Sequence, residues 1–224
     1  MCATYFIDDG TAVEMLEVIN ELNKKFGYET VTWDKIYPDG APVSKDVYPK
    51  NTAPVGVVDD TQVTVIMPVW GFPRKESSDV GFNARSENVR KFKGWSSAYE
   101  SRRAFAPARG FYENKKQADG KSERYYFTAP DGSLLFFASM LETVEDEHGN
   151  KYDAYTILTA DANDSVKDIH HRMPILLQKD ELMKWMTDQE YADSILSRIG
   201  PELVSALSTR QSRKQETDQL SLFD

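Results

Sequence analysis

One cysteine, Cys2, and three histidines are all that this 224-residue chain offers in thiol and imidazole chemistry. A lone thiol forms no internal disulfide, and one cysteine with three histidines has none of the paired spacings of a zinc site. The fold is expected to stand without disulfide, metal or cofactor. No apolar run approaches the ~18 residues of a membrane span, and the N-terminus lacks the basic and apolar regions of a secretory signal. These absences give the expectation of a cytoplasmic chain with no membrane partner. Neither GxGxxG nor GxxxxGK[ST] occurs, so dinucleotide and P-loop nucleotide binding leave the leading candidates. Basic charge is scarce as well: 27 Lys and Arg against 36 Asp and Glu give a formal charge of -9. Taken as a total, that argues against a nucleic-acid partner, because phosphate binding depends on Lys and Arg releasing counterions.

What is present is enough apolar matter, 40% of the residues with 12% aromatic, for one domain with a sizeable core. The division expected is a domain over residues 1–208 and a flexible tail over 209–224. Charge is also unevenly spread. From Arg85 to Arg124 there are eleven Lys or Arg and five Asp or Glu, a local +6 inside a remainder of -15.

TAVEMLEVINELNKKFG reads as an amphipathic helix, with Thr11 and Glu14 as a capping box, apolar residues at Val13, Leu16, Ile19, Leu22 and Phe26, and Gly27 as a left-handed stop. Residues 34–60, rich in proline and turn formers, read as a long ordered loop. VTVIMPVWGF is a strand that ends or becomes an edge at Pro68. ERYYFTAPDGSLLFFASMLE reads as two strands around a PDG turn, and VEDEHGNKYDAYTILTA as a second hairpin. Helical spacing returns in DELMKWMTDQEYADSILSRIG and PELVSALS. The class is α+β, with no repeating βα unit.

Cys2 stands where loss of Met1 would leave α-amine and thiol on neighbouring carbons. Both can then react with one aldehyde carbon, the amine as a Schiff base and the thiol by closing a five-membered thiazolidine. FNARSENVRKF sets Asn83, Arg85 and Glu87 after a strand. ARGFYENKK puts Glu113 behind an apolar run that desolvates its carboxylate toward general-acid range. IHHRMPILL places His170, His171 and Arg172 beside a buried-looking segment. Singly, each has an ordinary structural reading: a helix cap for Asn83, an arginine pair for Glu113, a hydrogen-bonded core histidine.

In combination, Cys2, NTAP, PVWGFPR, NARSE, AFAPARGFYE, TILTADAN and IHHRMPILL, in this order and at these intervals, resemble the SRAP family (SOS-response-associated peptidase domain), proteins that covalently trap abasic sites in DNA. The resemblance runs from Cys2 to about Leu177. It implies a compact β-rich α+β domain with a mixed, partly barrel-like sheet and flanking helices, acting as a monomer. The implied substrate is single-stranded DNA, or a single-strand/duplex junction, carrying an abasic site. Carried over by position, the nucleophile is Cys2, with Asn83 orienting sugar and N-terminus and with Glu113 and His170 moving protons. Arg85 and Arg172 are the implied phosphate contacts, and Trp70 the implied wedge or stacking platform. Two departures stand out. Ala3-Thr4 replaces the usual Gly-Arg after the cysteine, and Asn114 follows GFYE where Trp is common.

The tail, polar from Gln211, ends in QLSLF, which resembles the pentapeptide that binds the bacterial replicative sliding clamp. Gln219, Leu220, Leu222 and Phe223 would be its contacts, and the localisation implied is at replication forks. Two other readings are an amidohydrolase or peptidase with an N-terminal cysteine nucleophile, and a clamp-tethered DNA-binding adaptor in which Cys2 is incidental.

Overall fold

A computed structural model describes residues 2–37, 45–59, 62–74, 77–146 and 148–209. In chain order the strands and helices are β1 Tyr5–Ile7, α1 Asp9–Phe26, α2 Trp33–Ile36, β2 Lys45–Val47, β3 Val55–Val58, β4 Val63–Ile66, β5 Val69–Trp70, β6 Phe72–Pro73, β7 Val80–Gly81 and β8 Asn83–Arg85. They continue with α3 Lys93–Ser101, β9 Arg103–Ala108, β10 Gly110–Lys116, β11 Ser122–Thr128, β12 Leu135–Glu145, β13 Lys151–Asp161, β14 Arg172–Pro174, β15 Leu176–Leu177, α4 Leu182–Thr187, α5 Gln189–Ser194 and β16 Val204–Leu207. The class is α+β and β-rich, as the sequence indicates.

Two larger sheets carry the fold. One runs β16-β11-β10-β1-β2; the other has the path β14-β13-β12-β9-β3-β4, with β15, β5 and β8 attached to it. Both paths end in edge strands, so the expected barrel-like character is two open sheets rather than a closed barrel. Side-chain alternation along the second sheet sorts the core into layers. Ala104, Ala106, Phe137 and Ile157 face the first sheet and meet Tyr5, Ile7, Phe111 and Phe127. Phe105, Phe136, Ala138, Met140 and Leu158 face the other way and are covered by α1, α3, α4 and α5 through Met15, Ile19, Tyr99, Trp185 and Ala192. A sheet covered on both faces has no solvent side, which is why RAFAPA in β9 is buried at every position. No helix among the described residues is long and apolar enough to cross a membrane.

Several elements depart from the sequence reading. The cap of α1 is Asp8, whose side chain accepts from the Thr11 N–H while the Thr11 hydroxyl accepts from the Asp8 N–H, one turn earlier than the Thr11–Glu14 box. Its buried stripe is Ala12, Met15, Val18, Ile19 and Leu22, and Val13 and Phe26 are exposed. The loop expected at 34–60 contains α2, β2 and β3. The PDG turn joins strands of different sheets, β11 and β12, whereas β12 and β13 do form the expected hairpin. The helix expected at 180–200 breaks at Asp188, which caps α5 by accepting from the Tyr191 N–H. PELVSALS is not helical: residues 204–207 form an edge strand on β11. The tail residues Gln219, Leu220, Leu222 and Phe223 lie outside the described residues.

Candidate active site

Cys2 lies just before β1, a strand held between β10 and β2 by the registers Tyr5↔Phe111 and Tyr5↔Val47. The pairing extends beyond the strand, because the Tyr112 N–H donates to the Thr4 carbonyl at 3.0 Å. That placement sets the start of the chain at the rim of the inter-sheet core. Cys2 is 1% exposed, with its Sγ 3.5 Å from the Thr4 carbonyl oxygen.

Three segments distant in sequence converge there. Asn83, on β8 in parallel register with Ile157 of β13, donates from Nδ2 to the Cys2 carbonyl at 2.7 Å. Its Oδ1 is buried without a hydrogen-bond partner among the described residues. Glu113 shares the inward face of β10 with Phe111, two residues away, and is 3% exposed. His170 sits in the turn after β13, where its Nδ1 is 3.8 Å from Glu113 Oε1. The same Nδ1 lies 3.0 Å from the Arg172 backbone nitrogen and 3.1 Å from the Arg172 carbonyl oxygen, so the turn holds the ring through this atom in either neutral tautomer.

Burial governs the electrostatics. Desolvation pushes the Glu113 carboxyl up to about 7, where both protonation states are populated at neutral pH. Desolvation, reinforced by the Glu113 carboxylate, raises the Cys2 thiol far above its ordinary range. The thiol is therefore held as S–H. Burial also lowers His170 from its usual value. Behind the thiol, the Tyr5 and Tyr155 hydroxyls form a buried pair 2.5 Å apart.

The three DNA contacts implied by the resemblance fare differently. Arg85 is exposed at the end of β8. Arg172 is buried, bonded through its guanidinium to Glu87, Asp161 and the Thr159 carbonyl, so it supports the His170 turn from within. Trp70 is 0% exposed; its Nε1 donates to the Phe82 carbonyl at 2.8 Å and its ring meets those of Tyr5 and Tyr155. An enclosed indole offers no face to a base, and Trp70 acts here as a core pillar.

A cavity of about 460 Å³ opens beside the cluster, lined by Ala3, Thr4, Tyr48, Lys50, Arg74 and Phe82 among others. Motif reasoning missed both of its cations. Lys50 holds a left-handed backbone, φ 74°, a conformation that costs a non-glycine residue of order 1 kcal/mol. It is fixed because the Lys50 N–H donates to the Trp70 carbonyl at 2.7 Å and the Trp70 N–H donates to the Asn51 carbonyl at 2.8 Å. Lys50 falls within the stretch 34–60 that the sequence marks only as a long ordered loop. Among the described residues, no group of three or more His, Cys, Asp or Glu side chains is arranged to hold a metal.

Fold and cluster together define an open two-sheet α+β protein with a buried cysteine near its N-terminus and an acid–imidazole pair beside it. The sequence model of the SOS response associated peptidase (SRAP) family matches residues 1–213, and the chain belongs to that family. It is 29% identical over 136 residues to the abasic site processing protein YoqW of Bacillus subtilis (strain 168), covering 57% of this chain and 61% of that protein. It is 31% identical over 121 residues to the abasic site processing protein YedK of Escherichia coli (strain K12), covering 54% of each. The matched region thus spans between half and two thirds of these relatives. Among solved structures, a protein from Bacteroides thetaiotaomicron superposes with a TM-score of 0.72 at 19% identity, covering 92% of this chain and 91% of the other. A protein from Bordetella bronchiseptica gives 0.70 at 22%, covering 93% and 100%. These likenesses concern the fold.

Proposed function

We propose that this chain processes abasic sites in DNA by trapping the ring-opened sugar on Cys2 once Met1 has been removed. The names of the curated relatives support the substrate class. The observation that carries the chemistry is the convergence of Asn83, Glu113 and His170 on Cys2. In the reaction, the free α-amine adds to the sugar aldehyde carbon, and water leaves as the iminium forms. The thiol then adds to that carbon, a C–S bond closes the thiazolidine, and the thiol proton passes to a base. Aldehyde and aminothiol give thiazolidine and water, with no oxidant or reductant.

The order of steps follows from the raised thiol pKa. A buried S–H is a weak nucleophile toward a carbonyl but adds to an adjacent iminium as its proton is taken. Glu113, poised near neutrality, is suited both to protonate the departing hydroxyl and to accept the thiol proton. His170 serves the sugar-opening proton transfer, and the unpartnered Asn83 Oδ1 orients the amine. The same burial weighs against the peptidase reading, which needs a thiolate as first attacker. Residues 1–208 act as the trapping domain, and residues 209–224 as a tether whose Gln219, Leu220, Leu222 and Phe223 engage a bacterial sliding clamp. A chain ending at Asp218 should then lose clamp binding.

Intact mass measurement before and after mixing with a single-stranded oligonucleotide bearing one abasic site tests the chemistry. The expected product is the Met1-less protein plus one oligonucleotide minus one water, absent for Cys2→Ala. A stable adduct formed by Cys2→Ala would overturn the assignment.

A further inference from the structure

Lys50 and Arg74 carry charges that the fold leaves unused. Both are exposed, and among the described residues neither the Lys50 ammonium nor the Arg74 guanidinium has a hydrogen-bond or ion-pair partner. Their backbones, by contrast, are firmly placed. Lys50 is held in its left-handed conformation by the bond from its N–H to the Trp70 carbonyl. Arg74 follows β6, the strand that begins just after Trp70 and pairs with β7 through Phe72↔Gly81 and Pro73↔Val80. A strained backbone fixed from two sides, carrying an unpaired cation, points to a role outside folding.

Both side chains line the cavity of about 460 Å³ that Ala3 and Thr4, the residues following Cys2, help to form. Phe82 lines it too, next in the chain to Asn83, whose side chain holds the Cys2 carbonyl. Among the described lining residues the charged ones are Lys50, Arg74 and Asp79, a net of +1. A phosphodiester carries one negative charge, which this surplus matches. Val80 and Phe82 give the cavity an apolar side, where charges are screened less than in open water. The chain from Cys2 to Thr4 spans at most ~7 Å. A sugar trapped at Cys2 therefore has its own phosphate esters within reach of the cavity.

We propose that Lys50 and Arg74 together hold one phosphodiester next to the trapped sugar, fixing the strand so that the aldehyde carbon stays at Cys2. The proposal rests on the DNA reading above and adds an anion subsite to it. Because the subsite reads backbone and not base, it gives affinity without sequence preference.

The test uses the full chain and single strands with a central tetrahydrofuran in place of the abasic sugar, so that no aldehyde is present and anisotropy reads non-covalent binding. In two further strands a neutral methylphosphonate replaces the linkage just before or just after the tetrahydrofuran. The parent should bind one of these about tenfold more weakly than the all-phosphodiester strand, the worth of a charge-assisted hydrogen bond. Lys50→Gln with Arg74→Gln should bind the all-phosphodiester strand more weakly by a similar factor and lose most of that discrimination. Lys50→Arg with Arg74→Lys should keep it. Parent-like discrimination in the Gln double variant, or a parent indifferent to both neutralised linkages, would overturn the subsite. The adduct assay with true abasic DNA separates the two ideas: linkage discrimination without a Cys2 adduct sinks the trapping chemistry alone, and an adduct without the discrimination sinks the subsite alone.

Discussion

A carboxyl group enclosed between two β-sheets resists its own ionisation, and Glu113 shows what that costs the fold. Its folded pKa of about 7 lies above the ordinary value of 4.5, so between those values the native state binds more protons than the unfolded state. Stability is then fully kept below the lower value and lost as pH rises toward the upper one. Glu113→Gln removes the loss. The variant should match the parent in acid and exceed it at pH 8 by up to about 3 kcal/mol, read from denaturant midpoints across pH. The same change should slow adduct formation by roughly two orders of magnitude. Trp70→Ala tests the opposite kind of residue: emptying a fully buried site should cost about 3–5 kcal/mol in chemical denaturation. The desolvated acid was legible in the sequence because GFYE wraps it in apolar neighbours. The burial of Trp70 was not, since an indole after a strand reads equally well as a pillar or a platform.

Among elements, α1 shows how one turn of helix phase is lost and recovered. Val13 lies on the side of the helix away from the buried stripe, and Phe26 is in phase with the stripe but is the helix's last residue and exposed; packing against β4 and β9 sets which residues face inward. Asp8 fixes where the helix begins, and it also accepts from Arg109 Nε at 2.9 Å across to the chain entering β10. Asp8→Ala should therefore cost at least the ~1 kcal/mol of an N-cap, seen as a lower thermal midpoint. Asp8→Asn should recover the cap part of that loss but not the ion pair. Hairpin β12–β13 was legible because its turn and both arms are local. The strand at 204–207 was not: all four of its residues are exposed, so no apolar period marks its fold, and its conformation comes from pairing with the open edge of β11. The PDG turn misled for a related reason, because a local turn signal does not say which sheet receives the strand that follows.

For the whole molecule, the +6 stretch gives a misleading footprint, since the fold spends much of that charge internally. Arg90 pairs with Asp193, Arg102 with Asp153, and Arg109 with Asp8 and Glu14. Arg103 is buried and donates to the Trp185 carbonyl, while the buried Arg124 lies 3.7 Å over the Tyr112 ring. Of the stretch, Arg85, Lys91, Lys93, Lys116 and Lys121 remain exposed; Arg85, Lys91 and Lys93 lie close together in the chain, and Lys50 and Arg74 from outside the stretch line the cavity next to Ala3 and Thr4. Each phosphate neutralised on a single strand contributes about -0.7 to the slope of log affinity against log salt, so three to five contacts predict a slope of about -2 to -4. Use of all eleven cations of the stretch would give roughly -8. Titrations of tetrahydrofuran-containing single strands at several salt concentrations distinguish the two. Lys50→Gln with Arg74→Gln should flatten the slope by about 0.7, whereas Arg102→Ala should leave it unchanged while lowering stability. A parent slope near the larger value would mean that the paired arginines release their carboxylates to reach DNA. The acidic remainder of the surface then has an expected consequence under the proposed function: with few unpaired cations available to a strand, non-covalent affinity should stay modest, and residence on DNA would fall to the covalent bond proposed at Cys2.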